Sequence, residues 1–165
     1  MLEVAIDADE EWDSSNSWAR LAQAAAQAAI AESAFPQLAT GPRPVEISVL
    51  LTSDDRVREL NAKWRGKDKP TNVLSFPLSE TGDMEAEAGA GLMLGDLVLA
   101  RGVCAAEASE KQVRLEDHAA HLLVHGTLHL LGYDHHDDAS AEDMESREVR
   151  ALARLGIADP YGDRG

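Results

Sequence analysis

Apolar positions along the chain change period several times, and each change marks an element. Residues 2–6 (L-E-V-A-I) alternate briefly, as a strand with one buried face does. After an acidic, cap-rich loop a helix is expected from about Ser17, with Trp18, Leu21, Ala25 and Ile30 on or near one face of an alanine-rich segment. Gly41, Pro42 and Pro44 punctuate a loop. Val45, Ile47, Val49 and Leu51 then alternate with Glu46, Ser48 and Leu50, which predicts a second strand. Thr52 to Asp55 resembles a capping box, and Val57, Leu60 and Trp64 recur at helical spacing until Gly66. A turn, K-D-K-P-T-N, leads into V-L-S-F-P, a short strand closed by Pro77. Residues 78–91 lack an apolar period and read as a long connection of the kind that is either functional or mobile. The nearly continuous apolar run 92–100 predicts a strand buried on both faces, with a bulge at Gly95. Residues 101–113 read as a helix.

From Leu115 to Leu131 two stripes run side by side at about 100° per residue. Leu115, Ala119, Leu122, Gly126 and Leu130 share one arc, expected to face the core. His118, His121, His125 and His129 share the neighbouring arc, expected to face a cleft. Beyond the helix, D-H-H-D-D-A-S-A-E-D-M-E-S-R-E (134–148) carries seven carboxylates, and Ser140 with Asp143 reads as the cap of a last helix.

At 165 residues the chain fits one domain, 1–165, with a sizeable core, and no repeat or linker divides it. No basic-then-apolar leader and no run long enough to cross a bilayer are present, which points to the cytoplasm and away from membranes. Cys104, the only cysteine, excludes an internal disulfide and sits where a small buried hydrophobe is expected. The net charge of −15 excludes a general affinity for nucleic acid, so any such activity needs a local basic patch. One exists at K-W-R-G-K-D-K (63–69), which holds four of the 15 basic residues. Arg65 offers a planar fork for a phosphate oxygen pair, and Lys63, Lys67 and Lys69 offer diffuse attraction.

All six histidines fall between His118 and His136. Residues four apart on a helix can address one ion, but His121 and His129 are about 12 Å apart along the axis, so only one pair serves. The pair His125/His129 is favoured because Gly132 follows it by less than one turn and can reverse the chain to return His135. Three imidazoles with an open fourth position suit a catalytic zinc, with nickel or copper possible by ligand type. His118 and His121 read as solvent-facing or as groups that orient the ligands, Asp134 as a candidate to orient a histidine, and His136 as pointing away. A zinc peptidase of the H-E-x-x-H kind needs glutamate directly after its first ligand, and Gly126 stands there.

Together these residues resemble the YbeY family of bacterial endoribonucleases and rRNA maturation factors. The resemblance rests on H-G-T-L-H-L-L-G-Y-D-H (125–135), L-N-A-K-W-R-G-K-D-K-P-T-N-V-L-S-F-P (60–77), L-G-D-L-V-L (94–99) and G-I-A-D-P-Y (156–161). It implies an α+β fold, a mixed sheet of about four strands flanked by helices with a zincin-like metal-site helix. It also implies one Zn²⁺ on His125, His129 and His135, and Arg65 beside it in a cleft for single-stranded RNA. By the same resemblance the activity is metal-dependent endonucleolytic maturation of the 3′ end of small-subunit (16S) rRNA and ribosome quality control. The implied partners are small-subunit ribosomal proteins and the GTPase Era. A zinc-binding assembly factor without catalysis and a zinc hydrolase of peptides are the competing expectations.

Overall fold

A computed structural model describes residues 1–12, 17–85 and 91–161. In chain order these form β1 (Leu2–Ala8), α1 (Trp18–Ala31), α2 (Gln37–Thr40), β2 (Val45–Thr52), α3 (Asp54–Arg65), β3 (Val73–Pro77), α4 (Thr81–Glu85), β4 (Leu92–Ala100), α5 (Arg101–Lys111), α6 (Leu115–Leu130) and α7 (Asp138–Arg154). The strands make one mixed sheet in the order β1-β2-β4-β3, with β3 antiparallel to β4 and the other pairs parallel. The expected α+β class with a four-stranded mixed sheet is what forms.

Alternation in β2 sorts the two faces. Val45, Ile47, Val49 and Leu51 enter the main core, which α1, α6 and α7 complete with Ala25, Ile30, Leu123, Leu128 and Leu152. On β4, Leu97 and Leu99 join that core while Val98 and Ala100 face the other way, against Val57 of α3 and Leu74 of β3. The strand is therefore covered on both sides, as its apolar run requires. Its ladder with β2 slips by one residue, so that Glu46 pairs with Met93 and Ile47 with Gly95; Leu94 is the extra residue of a bulge.

Several boundaries differ from expectation for local reasons. A four-residue helix, α2, fits into the proline-rich loop, and a five-residue helix, α4, into the 78–91 connection; residues 86–90 of that connection lie outside the described residues. The cap of α3 is Ser53, whose hydroxyl accepts from Arg56 N–H at 3.2 Å. The cap of α7 is Asp137 rather than Ser140, because the Asp137 carboxylate accepts the Ser140 N–H at 2.7 Å. No helix among the described residues is long and apolar enough to cross a membrane.

Candidate metal centre and cleft

Gly126 decides how α6 lies on the sheet. A Cβ at this buried position would stand 2.7 Å from Leu97 Cδ2 and 3.2 Å from Ser75 Oγ, so only the missing side chain lets the helix approach β3 and β4 this closely. His125 and His129, one turn apart, then lie half-buried at the flank of the helix beside β3. Past Leu130 the chain reverses at Gly132, whose φ of 100° is a left-handed conformation that glycine adopts without strain. Tyr133 N–H donates back to Leu128 O at 3.0 Å, and the Tyr133 carbonyl accepts from His129 Nδ1 at 2.9 Å. The returning segment brings the His135 ring within 5.7 Å of His125 and 5.3 Å of His129, centre to centre.

One nitrogen from each of these three rings lies within 4.8 Å of the others, and the Nε2 atoms of His125 and His129 are 3.0 Å apart. Tetrahedral zinc with bonds of about 2.0–2.1 Å places its nitrogens about 3.3 Å from one another, so the donor set fits a small divalent ion. The ring tautomers point the same way. His129 Nδ1 faces a carbonyl and must carry its proton, which leaves Nε2 a bare lone pair. His125 Nδ1 lies 3.3 Å from Glu148 Oε1, which favours a proton on that nitrogen and turns Nε2 towards the other two rings. The two Nε2 atoms, 3.0 Å apart, are close enough to share one cation, a proton or a metal ion. Burial first, and the proximity of His125 and His135, which disfavours a further positive charge, hold the His129 pKa down to about 4, so the ring is neutral as a ligand must be.

Glu148, from α7, is fully buried behind His125. Its Oε1 also accepts from His121 Nε2 at 2.8 Å and from the Tyr161 hydroxyl at 2.9 Å. Burial alone would raise this carboxyl, but the bonds and charges of His121 and His125 bring it down to about 2, well into the ionised form.

In front of the rings lies a cleft of about 510 Å³, bounded by Arg65, Asn72 and Ser75 opposite His125, His129 and His135. Arg65 is the last residue of α3, where Gly66 in a left-handed cap turns the chain. Its guanidinium donates to Ser75 O at 2.6 Å and lies 5.6 Å from the Phe76 ring centre. The rest of the basic cluster is not in the cleft. Lys63 lies 5.1 Å over the Trp64 ring, and the exposed Lys67 and Lys69 flank Asp68, which Arg58 holds at 2.8 Å. The described part of the 78–91 connection does not line the cleft either.

Two expectations need correction and one carboxylate was missed. Of the two readings of His118 and His121, the solvent-facing one fails: both are buried, His118 against Glu107 Oε1 at 2.8 Å and His121 against Glu148, the carboxylate that also faces His125. Asp134 meets no ligand ring: one oxygen accepts from the His135 backbone N–H at 2.7 Å and the other lies 3.5 Å from the exposed His136 ring. His136 is exposed between Asp134 and Asp137, as expected. Glu148 escaped notice inside an acidic run, yet it sits on the buried stripe Met144, Glu148, Ala151, Leu152. A carboxylate on a helix's apolar face was the available signal. Cys104 is buried, and burial pushes its thiol up to about 12, so it is an inert core residue.

The family described as "Endoribonuclease YbeY" matches residues 5–156. Proteins of that name from Sphingopyxis alaskensis and Rhizorhabdus wittichii are 51% and 49% identical, over 99% of both chains and over 98% and 97% respectively. One from Agrobacterium fabrum is 46% identical over 97% of this chain and 94% of its own. A Thermotoga maritima protein solved in solution superposes with a TM-score of 0.55 at 22% identity, covering 93% of this chain and 92% of its own, which shows a shared fold.

Proposed function

The chain belongs to the Endoribonuclease YbeY family, and from that premise we infer that it is a metal-dependent hydrolase of RNA which matures the 3′ end of small-subunit ribosomal RNA. The observation that carries the reading is the convergence, in one cleft, of three ligand-spaced imidazoles with Arg65. His125, His129 and His135 would hold one zinc ion, the metal their neutral nitrogens suit best. Such an ion supplies Lewis acidity to a phosphoryl oxygen and a nucleophile available at neutral pH. Arg65 supplies a fixed pair of donors to the charge that develops on the same phosphate, and its bond to Ser75 O and its contact with Phe76 hold it in place.

A cleft of about 510 Å³ is the size of a pocket for a small molecule, so it admits unpaired nucleotides rather than a duplex. The net charge of −15 repels RNA at long range. Delivery to the cut site therefore falls to basic small-subunit ribosomal proteins and to the GTPase Era, while Lys63, Lys67 and Lys69 contact the strand beyond the cleft. Peptide hydrolysis is disfavoured by position 126, which points into Leu97 and Ser75, not at the metal centre.

The test compares cleavage of a 16S rRNA precursor by wild type, Arg65→Ala and His125→Ala, with zinc content assayed on each preparation. Wild type should cut, Arg65→Ala should keep zinc and lose cleavage, and His125→Ala should lose both. Equal, contaminant-level cleavage by all three would overturn the nuclease and favour a non-catalytic assembly factor.

A further inference from the structure

We propose that Glu148 is the positioning residue of the metal centre, fixing His125 with Nε2 towards the ion and placing a negative charge directly behind that ligand. The proposal rests on the reading of His125, His129 and His135 as metal ligands. Those three imidazoles carry no charge of their own, so a divalent ion would bring two uncompensated positive charges to a partly buried site. Glu148 is the fully buried carboxylate beside it: it has 0% exposure, and His125 Nδ1 lies 3.3 Å from its Oε1.

Its hydrogen bonds are arranged asymmetrically. His121 Nε2 and the Tyr161 hydroxyl meet the same oxygen that faces His125, at 2.8 and 2.9 Å, and these two are 3.1 Å from each other. The second oxygen, Oε2, is buried with no partner among the described residues. Here every donor converges on the atom that addresses His125. His121 reaches it from α6, one turn before the ligand, and Tyr161 from the segment after α7, so the carboxylate is clamped from two directions. With His125 Nδ1 turned to this oxygen, its Nε2 can only face the ion. A carboxylate on the far nitrogen also makes the imidazole a stronger donor. The histidine stripe of α6 thus divides its work: His125 and His129 are ligands, and His121 braces the carboxylate that aims one of them.

The experiment measures zinc affinity by chelator competition for wild type, Glu148→Gln and Tyr161→Phe, alongside thermal melting of the metal-free proteins and ¹⁵N NMR of the histidine rings in wild type. Glu148→Gln should bind zinc about 10–100-fold more weakly, with metal-free melting close to wild type, and Tyr161→Phe should lose a smaller factor in the same direction. In wild type, His125 should carry its proton on Nδ1 both without and with zinc. Zinc affinity of Glu148→Gln within twofold of wild type would overturn the proposal, as would an NMR spectrum showing zinc on His125 Nδ1. If Glu148→Gln fails to fold, the wild-type spectrum decides alone. A wild type that binds no zinc, or a His125→Ala variant that binds it as wild type does, would overturn the ligand reading itself.

Discussion

Arg65→Ala separates what this residue does for the fold from what it does for the reaction. In the folded protein the guanidinium makes one hydrogen bond, to Ser75 O at 2.6 Å, and one contact with the Phe76 ring at 5.6 Å, on an exposed residue. The hydrogen bond contributes about 0.5–1.5 kcal/mol and the cation–π contact about 0.5–1 kcal/mol. Together they amount to about 1–2.5 kcal/mol, which for a chain of this size lowers the melting temperature by about 2–10 °C. Losing a preorganised donor to a transition-state oxyanion costs about 2.7–4 kcal/mol, or a factor of about 10²–10³ in kcat. At 25 °C the variant should therefore be folded, fully loaded with zinc and nearly inactive. Arg65→Lys keeps the charge but has one ammonium where the fork has several donors, so it cannot hold Ser75 O and a phosphate together. It should recover KM more than kcat. The assay is single-turnover cleavage of a rRNA-precursor fragment with melting curves and zinc content on the same samples. A zinc-loaded Arg65→Ala that cleaves within threefold of wild type would refute the reasoning.

Gly126→Glu, which writes the zinc-peptidase glutamate into the chain, should not create a peptidase. Overpacking against Leu97 costs about 1–3 kcal/mol and a buried carboxylate several more, so melting should fall by more than 10 °C or the protein should not fold, as circular dichroism would report. Asp137→Ala should destabilise by about 0.5–2 kcal/mol in urea titrations, and Ser140→Ala by much less, since Asp137 is the cap. His118 is held below its ordinary pKa, chiefly by burial and further by Lys111 and His121, against the Glu107 bond that raises it. The unfolded chain therefore takes up this proton first as pH falls below about 6.5, and folding stability drops in that window. Denaturant titrations at pH 7.5 and 5.5 should show a smaller acid loss in His118→Gln than in wild type.

What could be read from the sequence was what local spacing determines. The turn of helix between His125 and His129 and the reversal at Gly132 need only a few residues of context, and β2 sorts its side chains by strict alternation. The bulge at Gly95 was legible because a glycine interrupts an otherwise apolar strand. What could not be read depends on distant elements. The planar fork of Arg65 set it apart from the three lysines, but not their absence from the cleft: the left-handed cap at Gly66 sends the chain away and leaves Arg65 alone facing β3. His118 and His121 appear exposed on a helical projection and become buried only because α5 and α7 bring Glu107 and Glu148 against them. The N-cap of α7 is Asp137, three residues before the Ser140 that the pattern suggested, because the Asp137 carboxylate takes the Ser140 N–H.

β3 is the terminal strand of the sheet, and the cleft runs along it. An unpaired strand border of this kind is a template for another extended polypeptide. Arg65 already occupies the Ser75 carbonyl on that border, and Pro77 has no N–H to offer. A peptide strand adding to this border would meet an occupied carbonyl and a missing donor, whereas recognition of a phosphodiester chain asks nothing of a main-chain ladder. The arginine proposed to contact phosphate thus also takes up one rung of the edge that a peptide, or another copy of this sheet, would need.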